Sequence, residues 1–78
     1  MPRYFFHIID DTITRDEEGL SLPDLEAARL AAERGARSLM AEEVMNGRLS
    51  LDHRIEVADE QGALLFALRF GDLVEISG

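Results

Sequence analysis

The sequence feature that most constrains the fold is one uninterrupted helical segment in a chain of only 78 residues. Residues 24–46 contain no proline and are rich in Ala, Leu, Glu and Arg, which are strong helix formers. Ser21 or Asp24 can cap the start of the helix, and Asn46-Gly47 supplies the left-handed residue that ends it. The sequence therefore predicts one long α-helix with a defined start and stop.

Two stripes of residues run along this predicted helix. At about 100° per residue, the first stripe is apolar and is expected to lie on a sheet; it consists of Leu25, Ala28, Ala32, Ala36, Leu39 and Met40, with Val44 at its margin. The second stripe has the alternating spacing of a coiled-coil seam and consists of Ala27, Ala31, Arg34, Ser38, Ala41 and Met45. Either its small residues admit a partner helix, with Arg34 setting the register, or it is a plain solvated surface.

Four shorter segments have the patterns of β-strands. Residues 4–9 are apolar at nearly every position, which is typical of a strand covered on both faces, or of one covered on one face and self-associating. Residues 12–14 can return as a short second strand. After the helix, residues 54–57 and 64–70 alternate in polarity or size and are joined by a hairpin turn at residues 59–62. Residues 73–76 are either a short last strand or a loose turn.

These segments predict a single α+β domain that comprises residues 1–78. Two β-hairpins flank the helix in the order ββαββ, and the helix is expected to pack on one face of an antiparallel sheet. The other face of the sheet then stays open unless something covers it.

The charge of the chain limits its partners. Sixteen acidic residues against eight arginines give a formal charge of −8. Such a field repels phosphate backbones and anionic membrane surfaces, whereas it permits a basic protein partner. No segment approaches the roughly 20 apolar residues of a membrane span. We therefore expect a soluble, cytoplasmic protein with no nucleic-acid and no membrane partner.

Few residues are suited to catalysis or to metal binding. The chain has no cysteine and no lysine, and none of its serines stands in a nucleophile elbow. His7 and His53 lie on two predicted strands, and if those strands are neighbours the rings can meet and bind a metal with Asp10 or Asp52. A half-buried ring with one hydrogen bond is the commoner arrangement. The sequence therefore predicts no enzyme, no cofactor and no metal site, and a metal or small-ligand site at the two histidines is the weakest hypothesis.

The remaining features indicate contact with another protein. Phe5, His7 and Ile9 alternate with the residues expected in the core, and a chain this short buries only about 60% of its unfolded surface, which favours self-association. The leading prediction is a non-catalytic protein-interaction module that forms a homodimer. The alternative is an acidic regulatory or inhibitor-like protein that binds a basic partner. The candidate contact residues are Phe5, His7, Ile9, Asp16, Glu17, Glu18 and Arg34.

Several segments resemble a known family. They are residues 1–7 (MPRYFFH), 16–19 (DEEG), 22–29 (LPDLEAAR) and 54–62 (RIEVADEQG). The family they resemble is a domain-of-unknown-function family of short proteins that is abundant in rhizobia and related alphaproteobacteria. The resemblance covers nearly the whole chain, and it implies a soluble bacterial protein with no assigned activity and no established site residues.

Overall fold

Five strands and one helix account for most of residues 1–77, the part of the chain that the computed structural model describes. The fold is α+β, and the strands form a five-stranded antiparallel sheet. The elements are β1 (Arg3–Ile9), β2 (Ile13–Thr14), β3 (Leu20–Ser21), α1 (Leu25–Met45), β4 (Arg54–Ala58), β5 (Leu64–Arg69) and a 3₁₀ turn at Phe70–Asp72. Three strands precede the helix, and the one that the sequence did not predict, β3, is too short to show a strand pattern.

The helix has the bounds that its sequence predicts. Asp24 is the N-cap, and its Oδ1 accepts a hydrogen bond of 2.9 Å from the N–H of Ala27. Asn46 is the C-cap, and Gly47 follows with a φ of +83°, a conformation that glycine adopts without strain. Local signals at both ends therefore fix the 21-residue length of α1.

The register of the sheet separates a core face from an outer face. β4 lies between β1 and β5, and β1 lies between β2 and β4. Residues directly opposite each other in antiparallel strands share a face. One face carries Phe6, Val57 and Phe66 in one row and Ile8, Ile55 and Leu68 in the next; the other face, called here the outer face, carries His7, Glu56 and Ala67 in one row and Ile9, Arg54 and Arg69 in the next.

One hydrophobic core contains residues of the helix and residues of the first of these faces. The buried residues of one connected cluster are Tyr4, Ala28, Ala32, Ala36, Met40, Ile55, Val57, Leu68, Phe70 and Leu73. Four of them are the buried residues of α1, and three of those four are alanines, so the backbone of α1 comes close to the sheet. Phe70 and Val57 are the largest of these residues that are fully buried.

Several predicted core positions are exposed instead. Leu25, Leu39 and Val44 are 50%, 37% and 56% exposed, because the buried stripe of α1 is narrow and consists of Ala28, Ala32, Ala36 and Met40. Leu64 is 59% exposed. A register shift between Val57 and Ala58 places Leu64 on the face opposite to that of Phe66 and Leu68. After the 3₁₀ turn, the described residues up to 77 form no further strand, which decides the alternative left open for residues 73–76.

Candidate functional site

Phe5, His7 and Ile9 lie together on the outer face, as the sequence predicts. All three are half-buried, and none belongs to the core cluster. The carboxylate of Glu56, opposite His7, forms an ion pair of 2.9 Å with Arg54, opposite Ile9. The outer face is therefore a mixed polar and apolar surface, in which the apolar column of β1 stands beside a charged column of β4.

The loop between β2 and β3 lies against this face and interrupts the pairing along β1. Four positions separate Tyr4 from Ile8 on β1, whereas six separate their partners Thr14 and Leu20, so the loop contains two extra residues. The gap leaves the N–H of Phe6 without a strand partner. The side chain of Asp16 replaces the missing strand partner, because its Oδ2 accepts a hydrogen bond of 3.1 Å from the N–H of Phe6.

Asp16 also holds the loop in its own conformation. Its Oδ1 accepts the N–H groups of Glu18 at 3.1 Å and of Gly19 at 3.0 Å, so one carboxylate closes the loop and replaces a strand hydrogen bond. Partial burial raises the pKa of Asp16, but the N–H groups of Gly19, Phe6 and Glu18, helped by His7, outweigh it and lower the pKa below its ordinary value. Asp16 thus organises the fold, and it is not a freely available contact residue.

His7 takes part in the same arrangement. Its Nδ1 accepts a hydrogen bond of 3.0 Å from the N–H of Asp16. His53 lies on the other side of the sheet, in a cavity with Ile8, and its ring packs edge-on against Phe70 at a centroid distance of 6.0 Å. His53 lies just before β4, the neighbour of β1, but the two rings line different cavities. Within residues 1–77 no group of three ligating side chains could hold a metal ion, so the hypothesis of a shared metal site is wrong.

Gly19 and the two glutamates complete the loop. A Cβ at Gly19 would stand 2.9 Å from Cε2 of Phe5, from Cγ of Arg3 and from the Tyr4 carbonyl, and the φ of Gly19 is +69°. The carbonyl of Glu18 accepts a hydrogen bond of 2.7 Å from Arg3. The side chains of Glu17 and Glu18 are exposed and make no hydrogen bond or ion pair within residues 1–77. Of the acidic run, only these two carboxylates are available to a partner.

Beside α1 there is a second surface, which the sequence indicated only in part. This surface is a groove with a volume of about 390 Å³, called here the helix-flank groove. Its lining residues are Phe6, Ile8, Leu20 and Ile55 from the sheet and Ala31, Gly35, Ser38 and Leu39 from α1. Every one of these residues is uncharged.

Only part of the second helical stripe lines the helix-flank groove. Ala31 and Ser38 line it, whereas Arg34 is exposed and has no hydrogen bond or ion pair within residues 1–77. Gly35 was missed by the sequence reasoning, although an isolated glycine inside a strong helical pattern is the signal that marks it.

A third surface is a cavity of about 640 Å³ at the C-terminal end of α1. Carboxylates contribute much of its lining, namely Asp10, Asp11, Glu42 and Glu43, together with Arg48 and His53. Within residues 1–77, Oε1 of Glu43 is buried without a hydrogen-bond partner. The N–H of Thr12 has the largest influence on Asp10 and holds its pKa below the ordinary value, with a smaller contribution from His53. A smaller cavity of about 260 Å³ on the outer face has as many lining carboxylates, since Asp16, Glu17, Asp59 and Glu60 line it together with Phe5 and His7.

Residues 1–77 contain neither a metal-binding cluster nor a membrane-spanning helix. No group of three His, Asp or Glu side chains in residues 1–77 is arranged to hold a metal ion. No helix in this range combines the length and the apolar character needed to cross a membrane.

Comparison with known proteins places the chain in a family. Residues 3–71 match the family model described as Domain of unknown function (DUF6894), which is nearly the whole chain. No curated protein and no solved structure is detectably similar to it. The chain therefore belongs to the DUF6894 family, as the resemblance in its sequence indicated.

Proposed function

We propose that the protein is a non-catalytic protein-interaction module that self-associates. The observation that carries this proposal is the helix-flank groove, an uncharged surface beside the hydrophobic core. In this proposal α1 covers the core face chiefly over β4. Of the core-facing residues of β1, Tyr4 is buried, whereas Phe6 and Ile8 remain only partly buried.

The total exposed surface supports the same proposal. The folded chain exposes 5393 Å². A folded monomer of 8.7 kDa is expected to expose about 4,700 Å², so the excess is roughly 650 Å². The radius of gyration of 12.8 Å also exceeds the value of about 11.5 Å for a compact chain of 78 residues. A standard interface buries about 600–1,000 Å² on each partner, which matches this excess.

Sedimentation over a range of micromolar concentrations tests self-association. The expected result is a mass of two chains that falls towards one chain on dilution. A mass of one chain at every concentration would contradict the proposal. No substrate has to be guessed for this test, because the measured quantity is the mass of the protein alone.

A second candidate function is the binding of a basic partner by an acidic regulatory or inhibitor-like protein. The contact surface proposed for it is the carboxylate-lined cavity at the C-terminal end of α1. Binding of a basic protein or peptide should weaken steeply as salt is raised, since salt screens exposed charges. Double substitution of Glu42 and Glu43 by Gln should weaken such binding, whereas Glu17→Gln serves as the matched control. Binding that ignores both salt and the double substitution would exclude this function.

A further inference from the structure

The helix-flank groove contains a glycine whose presence the isolated chain does not explain. Gly35 lies in the middle of α1, where glycine costs about 1 kcal/mol relative to alanine. Its φ is not positive, and a Cβ built on it meets nothing within 4 Å. Neither backbone strain nor internal packing therefore requires glycine at this position. An approach by something outside the chain does provide a reason, because glycine lets another backbone come close.

We propose that the helix-flank groove is filled by α1 of a second copy of this chain, with the two Gly35 residues close to a two-fold axis. This inference rests on the self-association proposed above and names its surface. A two-fold contact uses the same patch on both copies, so each helix lies in the groove of the other. Without a side chain at Gly35, the helices can approach at the short end of the usual 8–10 Å between axes.

The charges favour a second copy over a basic partner at this groove. Two chains of charge −8 repel each other wherever their carboxylates approach. The helix-flank groove has no charged lining residue, so it is a place where two such chains can meet without burying like charges. A basic partner finds no carboxylate to pair with in this groove. Arg34, beside the groove and without a partner within residues 1–77, can pair with a carboxylate of the second copy.

The dimensions also fit a helix. Strands are about 4.8 Å apart, and a helix with its side chains is about 10 Å wide, so one helix covers about two strands. The sheet is four strand positions wide, because β2 and β3 pair with opposite ends of β1. Because α1 packs chiefly over β4, the part of the core face at Phe6 and Ile8 of β1, which are only partly buried, is left for one further helix. Leu20 and Leu39, which are 48% and 37% exposed at the groove, would be covered by it.

The decisive experiment places a side chain at Gly35 and measures association by sedimentation. Gly35→Gln is expected to fold, since its Cβ enters open space and glutamine is the better helix former. It should weaken association at least tenfold, because a two-fold contact contains the added side chain twice. The matched control is Val44→Gln. Val44 is exposed on the opposite side of α1 from Gly35, so this variant should associate as the wild type does.

Cross-linking keeps the proposal testable if Gly35→Gln fails to fold. The chain has no cysteine, so Ser38→Cys introduces a single thiol at the edge of the groove, and Val44→Cys is its control. A short bis-maleimide should link two copies through residue 38 and not through residue 44. Raising salt should tighten association, because it screens the repulsion between two acidic chains.

The outcomes separate the two proposals. If the wild type is monomeric throughout, both are wrong. If the wild type associates but Gly35→Gln associates equally tightly, or Val44→Gln weakens association as much, the groove is not the interface and only this inference fails. Cross-linking through residue 44 in preference to residue 38 has the same meaning.

Discussion

Replacing Asp16 by alanine removes three hydrogen bonds at once, and their surroundings set the expected loss. The N–H of Phe6 is half-buried within β1, and leaving such a donor without an acceptor costs about 1–3 kcal/mol. The N–H groups of Glu18 and Gly19 are nearer to solvent, so water replaces most of what they lose. We expect Asp16→Ala to lower the free energy of unfolding by about 2–3 kcal/mol in total. That is a large part of the roughly 4–12 kcal/mol that a chain of this length has.

Thermal unfolding at one fixed protein concentration checks this value, since self-association makes the melting temperature depend on concentration. For a domain of this size the loss corresponds to a decrease of about 10–20 °C. The control is Glu17→Ala, which removes a neighbouring exposed carboxylate that makes no hydrogen bond within residues 1–77. Hydrogen exchange at the Phe6 amide should accelerate in Asp16→Ala only. Equal melting temperatures for the two variants would refute the assigned role of Asp16.

Three further predictions follow from the same structure. Gly19→Ala should lower the free energy of unfolding, measured by chemical denaturation, by at least about 3 kcal/mol, because its Cβ would stand 2.9 Å from Phe5 and two other atoms. Gly62→Ala, at a similar φ but in open space, should lower it by about 1 kcal/mol. Asp24→Ala should cost about 1 kcal/mol and reduce the helical circular dichroism signal, since it removes the N-cap. Because folding lowers the pKa of Asp16, its contribution to the free energy of unfolding is complete above the ordinary pKa and is lost as the pH falls through the folded pKa. The free energy of unfolding of Asp16→Asn should therefore change less than that of the wild type as the pH falls from neutral to that range.

The helix and the parity of β1 could be predicted because they depend on local signals. The cap at Asp24, the stop at Gly47 and the absence of proline between them determine α1 without reference to the rest of the chain. The hairpin turn is local too, since Asp59 accepts the N–H groups of Gln61 and Ala63 within the turn itself. Such features depend on interactions between residues that are close in the sequence, and these can be predicted from the sequence pattern alone.

What the sequence did not predict depends on residues that are distant in the chain. β3 exists because Leu20 pairs with Tyr4, and a two-residue strand has no periodicity of its own. Leu64 faces solvent because of a shift against Ala58, although its alternation with Phe66 and Leu68 predicts a core position. The exposure of the predicted apolar stripe of α1 likewise depends on how much sheet stands opposite the helix, which periodicity does not encode.

The candidate residues that are most conspicuous in the sequence are largely used by the fold. Asp16, His7 and Gly19 bind one another and the edge of β1, so their residue types have a structural explanation that needs no partner. Gly35 is inconspicuous in the sequence, yet it is the residue that the isolated fold leaves without a reason. A residue that lowers helix stability and serves no internal contact is better evidence for an external contact than an acid that closes a loop. A partner is therefore expected to bind at the flank of α1 and not at the acidic loop.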